Sequence, residues 1–265
     1  RPMGWEASPG GWTLNAPGCG RKPMALLDDL DRGLLDLIFP RDCVVTREPM
    51  ELGPRRHLSA VGALELTRID DPRCLRCGHP FDGKLEDDRS CPHCLGLNPA
   101  FGRAVCPFRA RGPVREIIHR IKYGGSPWLA DDLADAALED ALFRRHLMGA
   151  VLVPVPLHAA RKFDRGYNQA ERIATFLATH VAGCRAELLL RKQHETVSQT
   201  RLGRQERRKN VAGAFVVADG KSVDPSVRYV VIDDVLTTGA TLHACAIALR
   251  KAGAEGVDAA ALCHG

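Results

Sequence analysis

From about residue 113 onward, apolar positions alternate between helical and strand periods. Pro113 opens a helix that carries Ile117, Ile118 and Ile121, and Gly124-Gly125 closes it. A longer amphipathic helix is expected from about Pro127 to Leu147. Ala150–Val155 then reads as a buried strand, and residues 168–181 as a helix with Ile173, Phe176, Leu177 and Val181 on one face. Short strands are expected at Leu188–Leu190 and Ala214–Val217, and a strong one at Arg228–Asp233. Ala240–Lys251 is a helix closed by Gly253, and Val257–Leu262 is the last strand. Strands that alternate with helices predict an α/β fold with a mostly parallel sheet covered on both faces.

The first part of the chain reads differently. Residues 1–23 are rich in Gly and Pro, show no period and are expected to be disordered, with Met24 as a natural start. Leu26, Leu27, Leu30, Leu34, Leu37 and Ile38 recur at helical spacing until Pro40. Residues 41–73 are irregular, and Pro99 to Gly112 bridges to the alternating region. Three parts are expected: an extension over 1–23, a helix and cysteine-bearing region over 24–100, and the α/β domain over 101–265.

At 265 residues, with 45% hydrophobic and 26% charged side chains, the chain can fill a real core. No uncharged apolar run reaches the roughly 18 residues of a membrane span. Val235 to Leu249, an uncharged stretch that none in the chain exceeds, is interrupted by Thr237, Thr238, Gly239, Thr241 and His243. No apolar signal-peptide core follows Arg1. A membrane-spanning chain, a secreted miniprotein and a fibre are therefore not expected. The net charge of +5 is mildly basic and falls short of a nucleic-acid coat protein. Of ten cysteines, four form Cys74-x2-Cys77 and Cys91-x2-Cys94 and the others are scattered, a usage that points to a reducing cytoplasm.

The chemistry concentrates at Val230-Val231-Ile232-Asp233-Asp234-Val235-Leu236-Thr237-Thr238-Gly239-Ala240-Thr241. An apolar strand delivers two adjacent carboxylates at its C-terminal end, where parallel sheets bind ligands. A Thr/Gly loop then opens a helix, whose N-terminal amides and dipole suit a phosphate. Hydroxyl acceptors and phosphate donors therefore sit a few ångströms apart, as a ribose 5-phosphate requires. No G-x-G-x-x-G follows a strand and no G-x4-G-K-[ST] occurs, so dinucleotide-binding and Walker loops lose their support. A receiver-domain reading fails because its acid pair belongs near the domain's start.

This segment resembles the signature of the type I phosphoribosyltransferases, which bind 5-phosphoribosyl 1-pyrophosphate (PRPP). The resemblance implies that Asp233 and Asp234 hold the ribose hydroxyls and stabilise charge at C1. It implies that Thr237, Thr238, Gly239, Ala240 and Thr241 hold the 5-phosphate, with Mg²⁺ accompanying PRPP. The run Pro156-Leu157-His158 through Arg165-Gly166-Tyr167-Asn168-Gln169-Ala170 resembles the ComF family, a branch of the same superfamily. At the matching place the superfamily wraps a loop around pyrophosphate, which implicates His158, Arg161, Lys162 and Arg165. Thr196, Gln199, Arg207 and Asn210 also match the ComF pattern, in a region where type I enzymes close a mobile loop over PRPP. Residues 185–209 hold eight Lys/Arg against three acids. A solvated basic loop and a DNA-phosphate contact are the other readings of that stretch.

The two CxxC pairs, 13 residues apart, offer the four thiolates of a structural zinc: Cys74, Cys77, Cys91 and Cys94. ComF members usually carry a double zinc ribbon, and here the chain departs from it. Cys43 stands where the first knuckle should begin, but position 46 is Thr46, and no second pair occurs around Leu58-Ser59-Ala60. One zinc is expected, with Cys43 a free thiol.

Two functions remain open. One is an enzyme that transfers phosphoribosyl from Mg²⁺–PRPP to an unknown acceptor and releases pyrophosphate, with the residues before about 100 forming a hood. The other is a competence-linked module that handles single-stranded DNA or docks competence-machinery proteins, with PRPP as a regulatory ligand. With only 5% aromatics, stacking platforms for bases are scarce.

Overall fold

Strand β7 (Arg228–Leu236) and strand β8 (Gly256–His264) form the centre of a parallel sheet, in register from Arg228 opposite Gly256 to Leu236 opposite His264. The computed structural model describes residues 41–50, 53, 55–81, 91, 94, 98–193 and 213–265. The extension over 1–23, the expected helix up to Pro40, and Thr196, Gln199, Arg207 and Asn210 lie outside them. Residues 41–265 make one compact unit.

Beyond β7 lie β3 (Val151–Pro154) and then β4 (Arg185–Ala186). Beyond β8 lie β1 (Ala104–Val105) and β2 (Phe108–Arg109), every pairing parallel. A separate antiparallel pair joins β5 (Leu190–Lys192) to β6 (Phe215–Val217). The expected α/β class with a mostly parallel sheet is thus found among the described residues.

Strand periodicity explains why both faces are apolar. Leu152, Val230, Ile232, Ala260 and Leu262 face one core. That core is filled by α2 (Gly112–Tyr123), α3 (Leu129–Ala137), α4 (Ala141–Leu147) and α6 (Gln169–His180). Val151, Val153, Val231, Ala259 and Ala261 face the other, against α7 (Ala240–Lys251) and the β5–β6 pair. Each fully buried aliphatic side chain contributes roughly 1.5–3 kcal/mol relative to exposure.

Several boundaries differ from those expected. The single helix from Pro127 to Leu147 is two, because Asp140 breaks it. Its carboxylate accepts from the Leu142 and Phe143 amides at 2.8 and 2.9 Å and caps a new helix. Residues 41–73 contain the short helix α1 (Ala60–Leu64), and the 99–112 bridge contains β1 and β2. The expected loop after β3 contains helix α5 (Ala159–Arg165). The strand expected at Leu188–Leu190 sits two residues later, as β5. Strand β7 runs through both aspartates to Leu236, longer than its apolar run alone suggested.

Candidate active site

The C-terminal ends of β3 and β7 open onto a cavity of 290 Å³. Its wall contains Asp233 and Asp234, the whole run from Thr237 to Thr241, and Val155 to Leu157. All seven residues assigned from the strand-loop-helix signature therefore share one pocket. Gly239 is the N-cap of α7 and adopts φ +72°, a left-handed conformation that glycine takes without penalty. That turn swings the chain from β7 into α7. The Ala240 amide is met by Thr238 Oγ1 at 3.4 Å. The first-turn amides of a helix have no partner within it, and the dipole places partial positive charge there.

The acid pair is electrostatically uneven. Asp233 is half-buried and accepts the Asp234 amide at 2.9 Å on Oδ1, whereas the Asp234 side chain is 3% exposed. Asp234 Oδ2 lies 2.9 Å from Lys122 Nζ, at the C-terminal end of α2, in an ionic contact. Burial, and next the charge of Asp234, push the Asp233 carboxyl up, while Lys122 draws it back down. Burial alone would lower the Lys122 ammonium, but Asp234 and Asp233 together hold it above its ordinary value. The cavity wall thus sets three cations, Lys122, Arg161 and Lys192, against two carboxyl groups, and of these Lys122 pairs with Asp234.

The other expected residues divide. Arg161 lines this cavity and also a neighbouring one of 530 Å³, which Arg165 lines with Tyr123, Gly125, Asp164 and Tyr167. His158 lines neither; its Nδ1 accepts the Ala160 amide at 3.4 Å, at the start of α5. Lys162 belongs to α5. The Arg165-to-Ala170 run serves as an anchor. Arg165 donates to Gln169 Oε1 at 2.6 Å, and the Tyr167 hydroxyl donates to the Ile121 carbonyl. Asn168 caps α6 through the Ala170 amide and donates to the Val155 carbonyl, each at 3.0 Å.

Lys122, Gln169, Lys192 and Phe215 were not expected in the cavity wall. Gln169 was at hand in the RGYNQA run. Lys122 gave only a weak signal, since a lysine in the last helical turn is ordinarily a solvated cation that complements the dipole.

Away from this cavity, the ligand atoms of Cys74, Cys77, Cys91 and Cys94 lie within 4.8 Å of one another. Sulfur pairs stand at 3.7 Å (Cys74–Cys94) and 3.6 Å (Cys77–Cys91). A tetrahedral zinc with Zn–S of about 2.3 Å separates its sulfurs by about 3.8 Å, so the donor set fits. Cys74 is drawn down to about 4, chiefly by the hydrogen bond from Cys77, and that same bond followed by burial pushes Cys77 up. Four thiols this close need a dication to ionise together. All four positions are filled by protein, so zinc here stabilises and does not react.

The first ribbon position does not fit a second zinc. Cys43 is fully buried, but its neighbours are Ser59, whose amide and Oγ donate to Sγ at 3.3 and 3.2 Å, and Gly62, which has no side chain. Among the described residues, one hydroxyl and one thiol do not make a zinc donor set.

A family model described as a double zinc ribbon domain matches residues 34–95. Competence protein F of Haemophilus influenzae is 30% identical over 191 residues, which cover 71% of this chain and 82% of the relative. DNA utilization protein YhgH of Escherichia coli is 28% identical over 235 residues, 86% of this chain and 99% of the relative. A hypoxanthine phosphoribosyltransferase from Staphylococcus aureus aligns structurally with 49% of this chain and 61% of its own, at 17% identity and a TM-score of 0.29. No helix among the described residues is long and apolar enough to cross a membrane. With the acid pair, the RGYNQA anchor and the cysteine ribbon in place, and a relative at this identity matched over most of its length, the chain belongs to the ComF family.

Proposed function

We propose that the protein binds Mg²⁺–PRPP in the 290 Å³ cavity and transfers its phosphoribosyl group to an acceptor, with release of pyrophosphate. The observation that carries this reading is the convergence of Asp233, Asp234 and Thr237–Thr241 on one pocket at the C-terminal edge of a parallel sheet. In this reading the carboxylates accept the ribose hydroxyls, and the amides and hydroxyls of the Thr237–Thr241 turn hold the 5-phosphate. Positive charge that develops at C1 as the bond to pyrophosphate breaks lies beside the carboxylates. The bonding electron pair leaves with the pyrophosphate oxygen, toward the Arg161 side of the pocket. Mg²⁺ enters with the substrate and offsets the pyrophosphate charge. The 101–265 domain supplies every residue of the cavity wall, and the Cys74 ribbon holds one structural zinc.

The test is calorimetric titration of Mg²⁺–PRPP into zinc-loaded wild type and the Asp233→Asn/Asp234→Asn variant. Two lost hydrogen bonds to charged acceptors should weaken binding roughly hundredfold or more. Absence of binding by the wild type overturns the reading.

A second reading is favoured by what the relatives are called, a competence protein and a DNA utilization protein. In it the chain handles single-stranded DNA during DNA uptake through the basic stretch over 185–209. Neutralising Arg207, Arg208 and Lys209 should weaken DNA binding and flatten its salt dependence; unchanged affinity rejects that role for the stretch.

A further inference from the structure

Lys122 and Arg161 are the two residues that line both cavities, so the line between them is where one pocket passes into the next. The first pocket carries the acid pair and the Thr237–Thr241 turn. The second carries Lys122, Arg161 and Arg165 against the lone acid Asp164. A ligand whose sugar fills the first pocket and whose anionic end reaches the second must pass Lys122.

Lys122 is also held where it stands. Its neighbours in sequence are each fixed by the Arg165-to-Ala170 run: Tyr167 donates to the Ile121 carbonyl, and the Arg165 guanidinium lies 5.7 Å from the Tyr123 ring centroid. Gly124 and Gly125 end α2 just after Tyr123. A Cβ at Gly124 would meet Arg120 Cα at 2.9 Å, and Gly125 adopts φ +60°. The segment that presents Lys122 is therefore clamped from two sides, more than a solvated surface lysine needs.

We infer that Lys122 is a partner-switching counter-ion, paired here with Asp234 and passed to the pyrophosphate end of PRPP when the ribose hydroxyls take the carboxylates. The inference rests on the PRPP reading and adds a binding residue outside the strand-loop-helix signature. Its chemistry is an exchange of ion pairs with no covalent step. The ammonium leaves a carboxylate that gains hydroxyl donors, and it meets a more highly charged anion at the junction with Arg161. Charge-assisted contacts of this kind are among the stronger polar interactions.

The experiment compares three probes, Mg²⁺–PRPP, ribose 5-phosphate and pyrophosphate, by calorimetry on zinc-loaded wild type, Lys122→Met, Lys122→Gln and Lys122→Arg. Lys122→Met should weaken PRPP and pyrophosphate roughly tenfold or more and leave ribose 5-phosphate unchanged or tighter, because Asp234 is freed. Lys122→Arg should keep most of the affinity. Lys122→Gln leaves an amide donor for the buried Asp234, so it reads out the lost charge should the Met variant fail to fold. Equal weakening of all three probes would make Lys122 a mere support for Asp234 and overturn the inference. Unchanged PRPP affinity would also overturn it. A folded wild type that binds no PRPP fails the underlying reading, whereas binding without discrimination among the variants fails only the role of Lys122.

Discussion

At Cys43 and at Cys74 the backbone makes the same turn. In one, the Cys43 amide donates to the Glu48 carbonyl at 2.8 Å and the Arg47 amide to the Cys43 carbonyl at 3.0 Å. In the other, the Cys74 amide donates to His79 and the Gly78 amide to Cys74, both at 2.8 Å. Arg47 and Gly78 occupy the same left-handed position, at φ +64° and +71°, and both turns are closed by an antiparallel bridge, Asp42 with Pro49 and Arg73 with Pro80. What differs is what holds each turn from outside. The Cys74 turn has three further sulfurs beside it, in a small cluster joined by Phe81. The Cys43 turn is packed into the main core. Its neighbour His57 gives its carbonyl to the Val44 amide, and the Arg56 and His57 amides donate to the buried Asp132 carboxylate at 3.0 and 2.6 Å. Arg55 adds ion pairs to Asp135 and Glu139. A knuckle stitched to a helix of the core keeps its shape without zinc donors, whereas a knuckle with a small apolar cluster of its own depends on the metal.

The largest effect expected from this contrast is loss of zinc. Chelation or Cys74→Ser should unfold the second ribbon, since structural zinc supplies on the order of 10 kcal/mol of folding free energy in small sites. Metal analysis should give about one zinc per chain in the wild type and none in the variant. Two zincs per chain would break the comparison outright. Next comes Asp132→Ala, which strands two amides and should cost roughly 2–4 kcal/mol in denaturant unfolding without changing zinc content. Gly62→Ala follows. Its Cβ would lie 2.6 Å from Cys43 Sγ, and overpacking of this kind costs about 1–3 kcal/mol.

The smallest effect is Ser59→Ala. It removes the cap of α1 and a donor to the Cys43 sulfur, for about 1 kcal/mol. Its cost should vary with pH. Burial raises the Cys43 thiol, but hydrogen bonds led by Ser59 bring it down to about 7 from 9.0. A group lowered in the folded state contributes fully above its unfolded value and loses that contribution as pH falls through the folded one. Ser59→Ala should therefore cost more at pH 9 than at pH 6; a flat profile would deny the thiolate its role.

How far the sequence alone reaches differs between elements for physical reasons. Strand β7, helix α7 and the Asp233–Thr241 loop were legible because apolar period, glycine and helix start coincide within a dozen residues. The break at Asp140 was legible in principle, since an aspartate followed by Leu142 and Phe143 is a cap, but the apolar stripe runs on through it. Helix α5 was hidden behind cations that read as a loop. Lys122 was hidden more deeply. Its meaning comes from Asp234, 112 positions away, and from an anchor at Tyr167 that only the folded chain brings to it. The knuckle at Cys43 shows the same limit: its missing cysteines are plain in the sequence, but Asp132, which helps hold the turn in their place, lies far along the chain.

The central claim, that the acid pair and the Thr237–Thr241 turn make a phosphoribosyl site, is tested most directly by phosphorus NMR of Mg²⁺–PRPP titrated with the zinc-loaded protein. The account predicts that the 5-phosphate resonance shifts and broadens with wild type, together with both pyrophosphate resonances, and that all three return to their free positions with Asp233→Asn/Asp234→Asn. Three unperturbed resonances in the presence of folded wild type would contradict it.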